Sequence, residues 1–332
     1  MTAFIPCFAH AAGRARARVP ALMSALACAF ASVVAQGAPA TGAPLPDVTI
    51  DASNVYPESM SSGPDGTLYI GSMKGTVYRA RPGQAKATAW VQRSDANHIL
   101  SLLGVLVDAP SHTLWLCSAA GTLLNPPIQG TSSLIALDLA TGKPKGNWPF
   151  PAPVSTCNDI TVAPDGSIYA TDTPNGRIFH LAKGAAALEL FVQDPVLRGI
   201  DGIVFSGDGL LYVNNVQRNQ LLLVDVRPDG KAGPITPLEL SQPVAGPDGF
   251  RLIEGKRFLL AEGNAGRIDE VTIHGARADI KVLRTGLISP PAVTLVGHTV
   301  YALEGKISYL FDPHLKGQDP GAFKAYAVPL NP

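Results

Sequence analysis

The sequence predicts an all-β fold, a six-bladed β-propeller preceded by a signal peptide. Three observations lead there. Gly and Pro, 33 and 29 of 332 residues, make up close to a fifth of the chain, against about 12% in an average protein. A short apolar run, an Asp/Gly turn and a second apolar run recur along the chain, as in a β-hairpin. The second runs start at Leu68, Leu114, Ile168, Leu211, Leu259 and Val300, 41 to 54 residues apart. A fixed period of this size is the mark of radial repetition, because one hairpin unit cannot bury both faces of its sheet alone. A β-sandwich of nearly 300 residues or an irregular solenoid is the competing architecture, and neither explains the period.

The chain begins with a leader. Arg14, Arg16 and Arg18 form a positive segment, and Val19 to Ala35 is an uncharged apolar run ending in small residues. This reads as a signal peptide over residues 1–35, cleaved after Ala35, and it predicts export to the periplasm or beyond. An uncleaved anchor is the alternative, since 17 residues are at the lower limit for spanning a bilayer. A lipidated Cys28 is a third. Residues 36–46 are a flexible Ala-, Gly- and Pro-rich segment, and the propeller is expected over 47–330. No later stretch is long enough to span a membrane.

The hairpins follow in order. Pro64-Asp65-Gly66-Thr67-Leu68-Tyr69-Ile70 matches Pro164-Asp165-Gly166-Ser167-Ile168-Tyr169-Ala170 and, more loosely, Gly207-Asp208-Gly209-Leu210-Leu211-Tyr212-Val213. Asp65, Asp165, Asp208 and Asp229 are therefore turn residues. Weaker copies surround Leu114, Phe258 and Val300. A third strand often follows, as at Gly75-Thr76-Val77-Tyr78. The segment from Asp47 to Ile50 is placed against Phe323 to Tyr326 to close the ring.

Composition narrows the function. Charged residues are 16% and apolar residues 46%, with no net charge. That excludes a coiled coil, and it excludes disorder. Without its leader the chain has three more acids than bases, so it lacks the field that holds a phosphate backbone, and no nucleic-acid partner is expected. Beyond the leader only Cys117 and Cys157 remain. They read equally as a disulfide or as two buried thiols, and two cysteines without further Cys or His spacing do not make a zinc site.

The first strand of each propeller unit begins at one mouth of the channel, so equivalent positions converge there. Counting back from the second-strand anchors reaches Glu58, Asn158, Asp201 and Asp248. The second and sixth units offer Leu103-Gly104 and Pro290-Pro291, without a polar head. Four oxygen-bearing side chains crowded at one mouth suit a hard divalent cation, Ca²⁺ rather than Zn²⁺. Each also has a local alternative: Asn158 and Asp201 as strand caps, Asp248 as a turn residue. Asn97 and His98 lie near the same mouth, as substrate contacts or as a solvated loop pair. The remaining histidines show no triad spacing, and there is no G-x-S-x-G motif.

With Pro57-Glu58, Asn158-Asp159-Ile160, Asp201-Gly202-Ile203 and Pro247-Asp248-Gly249 in register with the repeat, the chain resembles the senescence-marker-protein/gluconolactonase family of regucalcin-like six-bladed propellers. The resemblance covers most of the chain after the leader. It implies a divalent cation, usually calcium, and hydrolysis of a small-molecule lactone or related ester. It implies Glu58, Asp201 and Asp248 as metal ligands, Asn158 on metal or substrate, and Asp248 also as the catalytic general base. The chain departs from the family at Asp201, where Asn is usual, and at Thr156, where sugar-lactone members tend to carry Arg. A non-catalytic binding or scaffold propeller is the alternative. A strictosidine-synthase-like condensing enzyme shares the architecture but does not need several carboxylates.

Overall fold

The computed structural model describes residues 45–121, 127–152, 154–315 and 317–330. The expected leader, and all but the last two residues of the segment that follows it, lie outside the described residues. Among the described residues no helix is long and apolar enough to cross a membrane.

The structure is built of strands. After β1 (Val48–Ile50) come β2 (Pro57–Ser62), β3 (Leu68–Ser72), β4 (Thr76–Ala80) and β5 (Lys86–Gln92). The next group is β6 (Ser101–Asp108), β7 (Thr113–Ala119), β8 (Ser133–Asp138) and β9 (Pro144–Pro149). Then follow β10 (Cys157–Val162), β11 (Ile168–Asp172), β12 (Arg177–Leu181) and β13 (Glu189–Gln193), and β14 (Ile200–Phe205), β15 (Leu211–Asn215), β16 (Gln220–Val226) and β17 (Ala232–Pro237). The short β18 (Glu239–Leu240) precedes β19 (Pro247–Glu254), β20 (Arg257–Glu262), β21 (Arg267–His274) and β22 (Arg277–Thr285). The last group is β23 (Ala292–Val296), β24 (Thr299–Leu303) and β25 (Lys324–Pro329).

Within each group neighbouring strands pair antiparallel in chain order. β1 completes the last group by pairing antiparallel with β25, Val48 opposite Ala325, as the sequence suggested. It also pairs parallel with β5, Thr49 opposite Lys86, so the first and last groups share one eight-stranded sheet. The first strands pack in a closed circle: β2 on β6, β6 on β10, β10 on β14, β14 on β19, β19 on β23, and β23 back on β2. This radial arrangement is that of a β-propeller. Every second-strand anchor read from the sequence lies in the second strand of its group. The turn aspartates act as expected, with Asp65 accepting from the Thr67 amide at 3.0 Å and Asp165 from that of Ser167 at 2.9 Å.

The core lies between sheets as separate apolar layers. One packs Phe150, Phe179 and Ile160 of adjoining groups together, and another packs Tyr212, Phe250 and Phe258. The second strands, such as β7 and β11, are buried along their whole length because both their faces are covered.

A second repeat, polar rather than apolar, fixes the loops that lead into the circle. At or within one residue of the end of the second strand of each group stands a buried polar residue that bonds to the loop entering its own group. Ser72 donates to the Val55 carbonyl. Ser118 donates to the His98 carbonyl at 3.2 Å and accepts from the Leu100 amide at 2.9 Å. Asp172 accepts from the Thr156 amide at 2.9 Å, and Asn215 donates to the Arg198 carbonyl at 2.8 Å. Glu262 accepts from the Ala245 amide, and Glu304 from the Ile288 amide at 2.9 Å. These backbone groups would otherwise be buried without partners, which costs about 1–3 kcal/mol each.

Candidate functional site

Register places four of the predicted side chains at one structural position. Pro57 pairs with Ser72, Cys157 with Asp172, Ile200 with Asn215 and Pro247 with Glu262. In all four strands the ladder then breaks, and the next residue is unpaired: Glu58, Asn158, Asp201 and Asp248. Such a bulge re-aims a side chain away from the regular pleat. Leu103 holds the same place in β6, where the ladder skips from Leu102 to Val105. The approach is shared as well. Tyr56, Gly199 and Gly246, two residues ahead of Glu58, Asp201 and Asp248, all have left-handed backbone. Tyr56 adopts at φ 46° a conformation that glycine takes more readily.

The four side chains share one electrostatic environment. Glu58, Asn158 and Asp201 are buried and Asp248 is half-buried. The Asn158 amide donates to Asp201 Oδ2 at 3.0 Å and to Thr173 Oγ1 at 2.7 Å. Burial, then the charge of Asp159, pushes the Asp201 carboxyl up to about 7, while hydrogen bonds from Asn158 and Asp248 restrain the rise. Burial also raises Asp248 well above the usual carboxylate range, and Asp201, Glu58 and Asp159 add to it. Glu58 is raised in the same way by burial, Asp201 and Asp159. Burial is thus the first cause of the rise in all three acids, and neighbouring carboxylates add to it. Among the described residues, no group of three or more His, Cys, Asp or Glu side chains stands at ready-made metal-binding spacing.

Each of three site residues is fixed by the preceding group, through the residue just before the loop-holding side chain. Thr171 donates its hydroxyl to the Asp201 carbonyl at 2.9 Å and accepts from the Asp159 amide at 2.9 Å. Asn214 accepts from the Gly202 amide at 3.0 Å and donates to the Asp248 carbonyl. Cys117 occupies the matching place in β7 and is disulfide-bonded to Cys157, next to Asn158, with the Cα atoms 5.0 Å apart. The disulfide is the alternative realised of the two that the sequence left open. Gly202 is required here, because a Cβ would collide with the Asp248 carbonyl.

Sequence reasoning missed two charged residues of this site. Arg251, three residues after Asp248 on β19, makes a two-pronged pair with Asp159 on β10: Nη1 to Oδ2 at 2.7 Å and Nη2 to Oδ1 at 2.8 Å. Its field lowers Glu58, Asp201 and Asp248 against the burial that raises them. Asp159 was visible only as part of the Asn-Asp motif, and Arg251 only as one residue of a strand. Asn97 spends its side chain locally, accepting from the Ser94 amide at 2.9 Å and donating to the Gln92 carbonyl at 2.8 Å. His98 is exposed and lines a cleft of about 560 Å³ with Arg93, Asp95 and Asn147, whose lining includes none of the four.

Residues 48–80, which contain Glu58, match the family profile described as strictosidine synthase-like, N-terminal. No curated protein matches the sequence. Among solved structures, the major allergen Mala s 1 of Malassezia sympodialis superposes with a TM-score of 0.66 at 15% identity, covering 86% of this chain and 96% of the allergen. The chain is a β-propeller. A putative gluconolactonase gives a TM-score of 0.60 at 14% identity, over 86% of this chain and 95% of its own. Virginiamycin B lyase from Staphylococcus aureus gives 0.58 at 13%, over 86% and 98%. At these identities the propeller shares its fold with all three.

Proposed function

We propose that this chain is an exported, divalent-cation-dependent hydrolase that opens a lactone or related ester at the channel mouth of a six-bladed propeller. The observation that carries the reading is the common register of Glu58, Asn158, Asp201 and Asp248 in four first strands, with the three carboxyls raised by burial and by neighbouring carboxylates. The closed circle of first strands supports six blades, with β1 and β25 in the last. The apolar leader supports export, and so does the Cys117–Cys157 disulfide, which suits an oxidising compartment.

The donor set fits a hard cation chemically. Three carboxylates and an amide offer oxygens only, which favours Ca²⁺ over softer metals. Glu58, Asp201 and Asp248 would hold it, with Asn158 beside them. Burial raises both Asp201 and Asp248, and a bound cation would oppose that rise. A bound cation would polarise the ester carbonyl and stabilise the developing oxyanion. The chain's own residues do the rest. Asp248, less buried than its partners, is the group that takes a proton from the attacking water. Asn158 orients Asp201 through its amide, which donates to Oδ2 at 3.0 Å.

The test is metal analysis of the purified protein, followed by turnover of lactones and aryl esters with and without chelator. Hydrolysis that persists both in chelator and in Asp248→Ala rules the reading out. A second reading rests on the profile match over residues 48–80: a strictosidine-synthase-like condensing enzyme. It predicts turnover of an amine with an aldehyde, indifferent to chelator. A scaffold propeller predicts neither activity.

A further inference from the structure

Arg251 and Asp159 lie inside the circle of first strands. β10 and β19 are not neighbours there, because β14 stands between them. Their side chains therefore meet across the channel, and β14 joins them where the Ile203 amide donates to Asp159 Oδ2 at 3.2 Å. The pair sits directly beneath the site, since Asp159 follows Asn158 and Arg251 lies three residues beyond Asp248. Both side chains are nearly buried, at 11% and 6% exposure. Arg251 also donates from Nη1 to its neighbour's carbonyl, Phe250 O, at 3.0 Å, while its Nε is buried without a partner. A guanidinium placed for hydrogen bonding alone would not leave a buried donor unused. Placed as a charge, it faces four carboxyls, those of Glu58, Asp159, Asp201 and Asp248.

We propose that the Arg251–Asp159 pair forms the floor of the site and sets its net charge, and with it the affinity for the cation above. Asp201 brings a carboxylate where the resembling family has an amide, and Arg251 supplies the positive charge that offsets it. The inference rests on the cation reading of the site. Formally, four carboxylates and one guanidinium leave three negative charges around one divalent ion.

Four variants arrange that charge in steps. Arg251→Met adds one net negative charge and should lower the Kd for Ca²⁺ by about tenfold or more. Asp159→Asn removes one and should raise the Kd by a similar factor. Asp159→Asn/Arg251→Met restores the wild-type count and should return the Kd close to the wild-type value. Arg251→Lys keeps the charge but loses the fork, and should keep the Kd while lowering thermal stability. Calorimetric titration of chelator-stripped protein reads the order. One common Kd for all five proteins overturns the proposal and leaves the pair a purely structural clasp.

If the wild type takes up no Ca²⁺, Mg²⁺ or Mn²⁺, the cation reading fails and the charge role is read from metal-free protein instead. There Asp201→Asn should recover stability lost in Arg251→Met, as a coupled double-mutant cycle. Additive effects overturn the charge role as well. Should Arg251→Met fail to fold, Asp159→Asn still gives the comparison: a Kd raised about tenfold over that of the wild type and of Arg251→Lys supports the proposal, and an unchanged Kd overturns it.

Discussion

The Thr171 hydroxyl donates to the backbone carbonyl of Asp201 over 2.9 Å, and so one group of strands holds the candidate-site backbone of the next. Asn214 does the same for Asp248. Replacing either donor leaves a buried carbonyl unpaired, so Thr171→Val and Asn214→Leu should each lose about 1–3 kcal/mol in urea unfolding. Asn214→Leu should also depress turnover, because Asp248 loses its support. Gly202→Ala should do both through collision with the same carbonyl.

Asp248→Asn keeps the size of the side chain and removes its basicity. Hydrolysis should fall by about 10²–10⁴ in kcat/KM, the range for loss of a general base. The circular dichroism spectrum should be unchanged. Glu58→Gln, which touches no proton in the reaction, should weaken Ca²⁺ binding more than it lowers the rate at saturating Ca²⁺.

The Cys117–Cys157 disulfide closes a loop of 40 residues next to Asn158. Cys117→Ala/Cys157→Ala should lower stability by about 2–4 kcal/mol. Reductant should shift the melting temperature of the wild type and leave that of the double variant unmoved.

Asp269 gives the metal-free protein a pH dependence. It is fully buried on β21, and neither of its carboxyl oxygens has a hydrogen-bond partner. Burial, then Glu262, pushes it up to about 8 against the pull of Arg267. The folded protein therefore keeps a proton that the unfolded chain releases. Stability from this group is present at acid pH and is lost as pH rises from the ordinary 3.8 to about 8. Asp269→Asn should flatten that slope, as thermal melts across the range in chelator will read.

Much of the fold was legible because the turns are. Asp65 and Asp165 announce hairpins by local hydrogen bonds that need no tertiary context, and they mark a period. The positions of Glu58, Asn158, Asp201 and Asp248 followed by counting along that period. The loop-holding residues did not. Ser72, Asp172, Asn215 and Glu304 do one task with four side-chain chemistries, so no residue pattern betrays them. Arg251 was equally hidden. Its partner Asp159 is 92 residues away, and only closure of the circle brings the two together. The cysteine pair stayed ambiguous for the same reason, since proximity across two strand groups is a tertiary fact.

The strand β1 has a consequence for how the protein is made. It pairs with β25, the last of the described strands. Until Lys324–Pro329 emerges, β1 has only its parallel partner β5, and the circle stands open. Closure therefore waits on β25, and a chain that has not yet made that strand has no closed form to fall into.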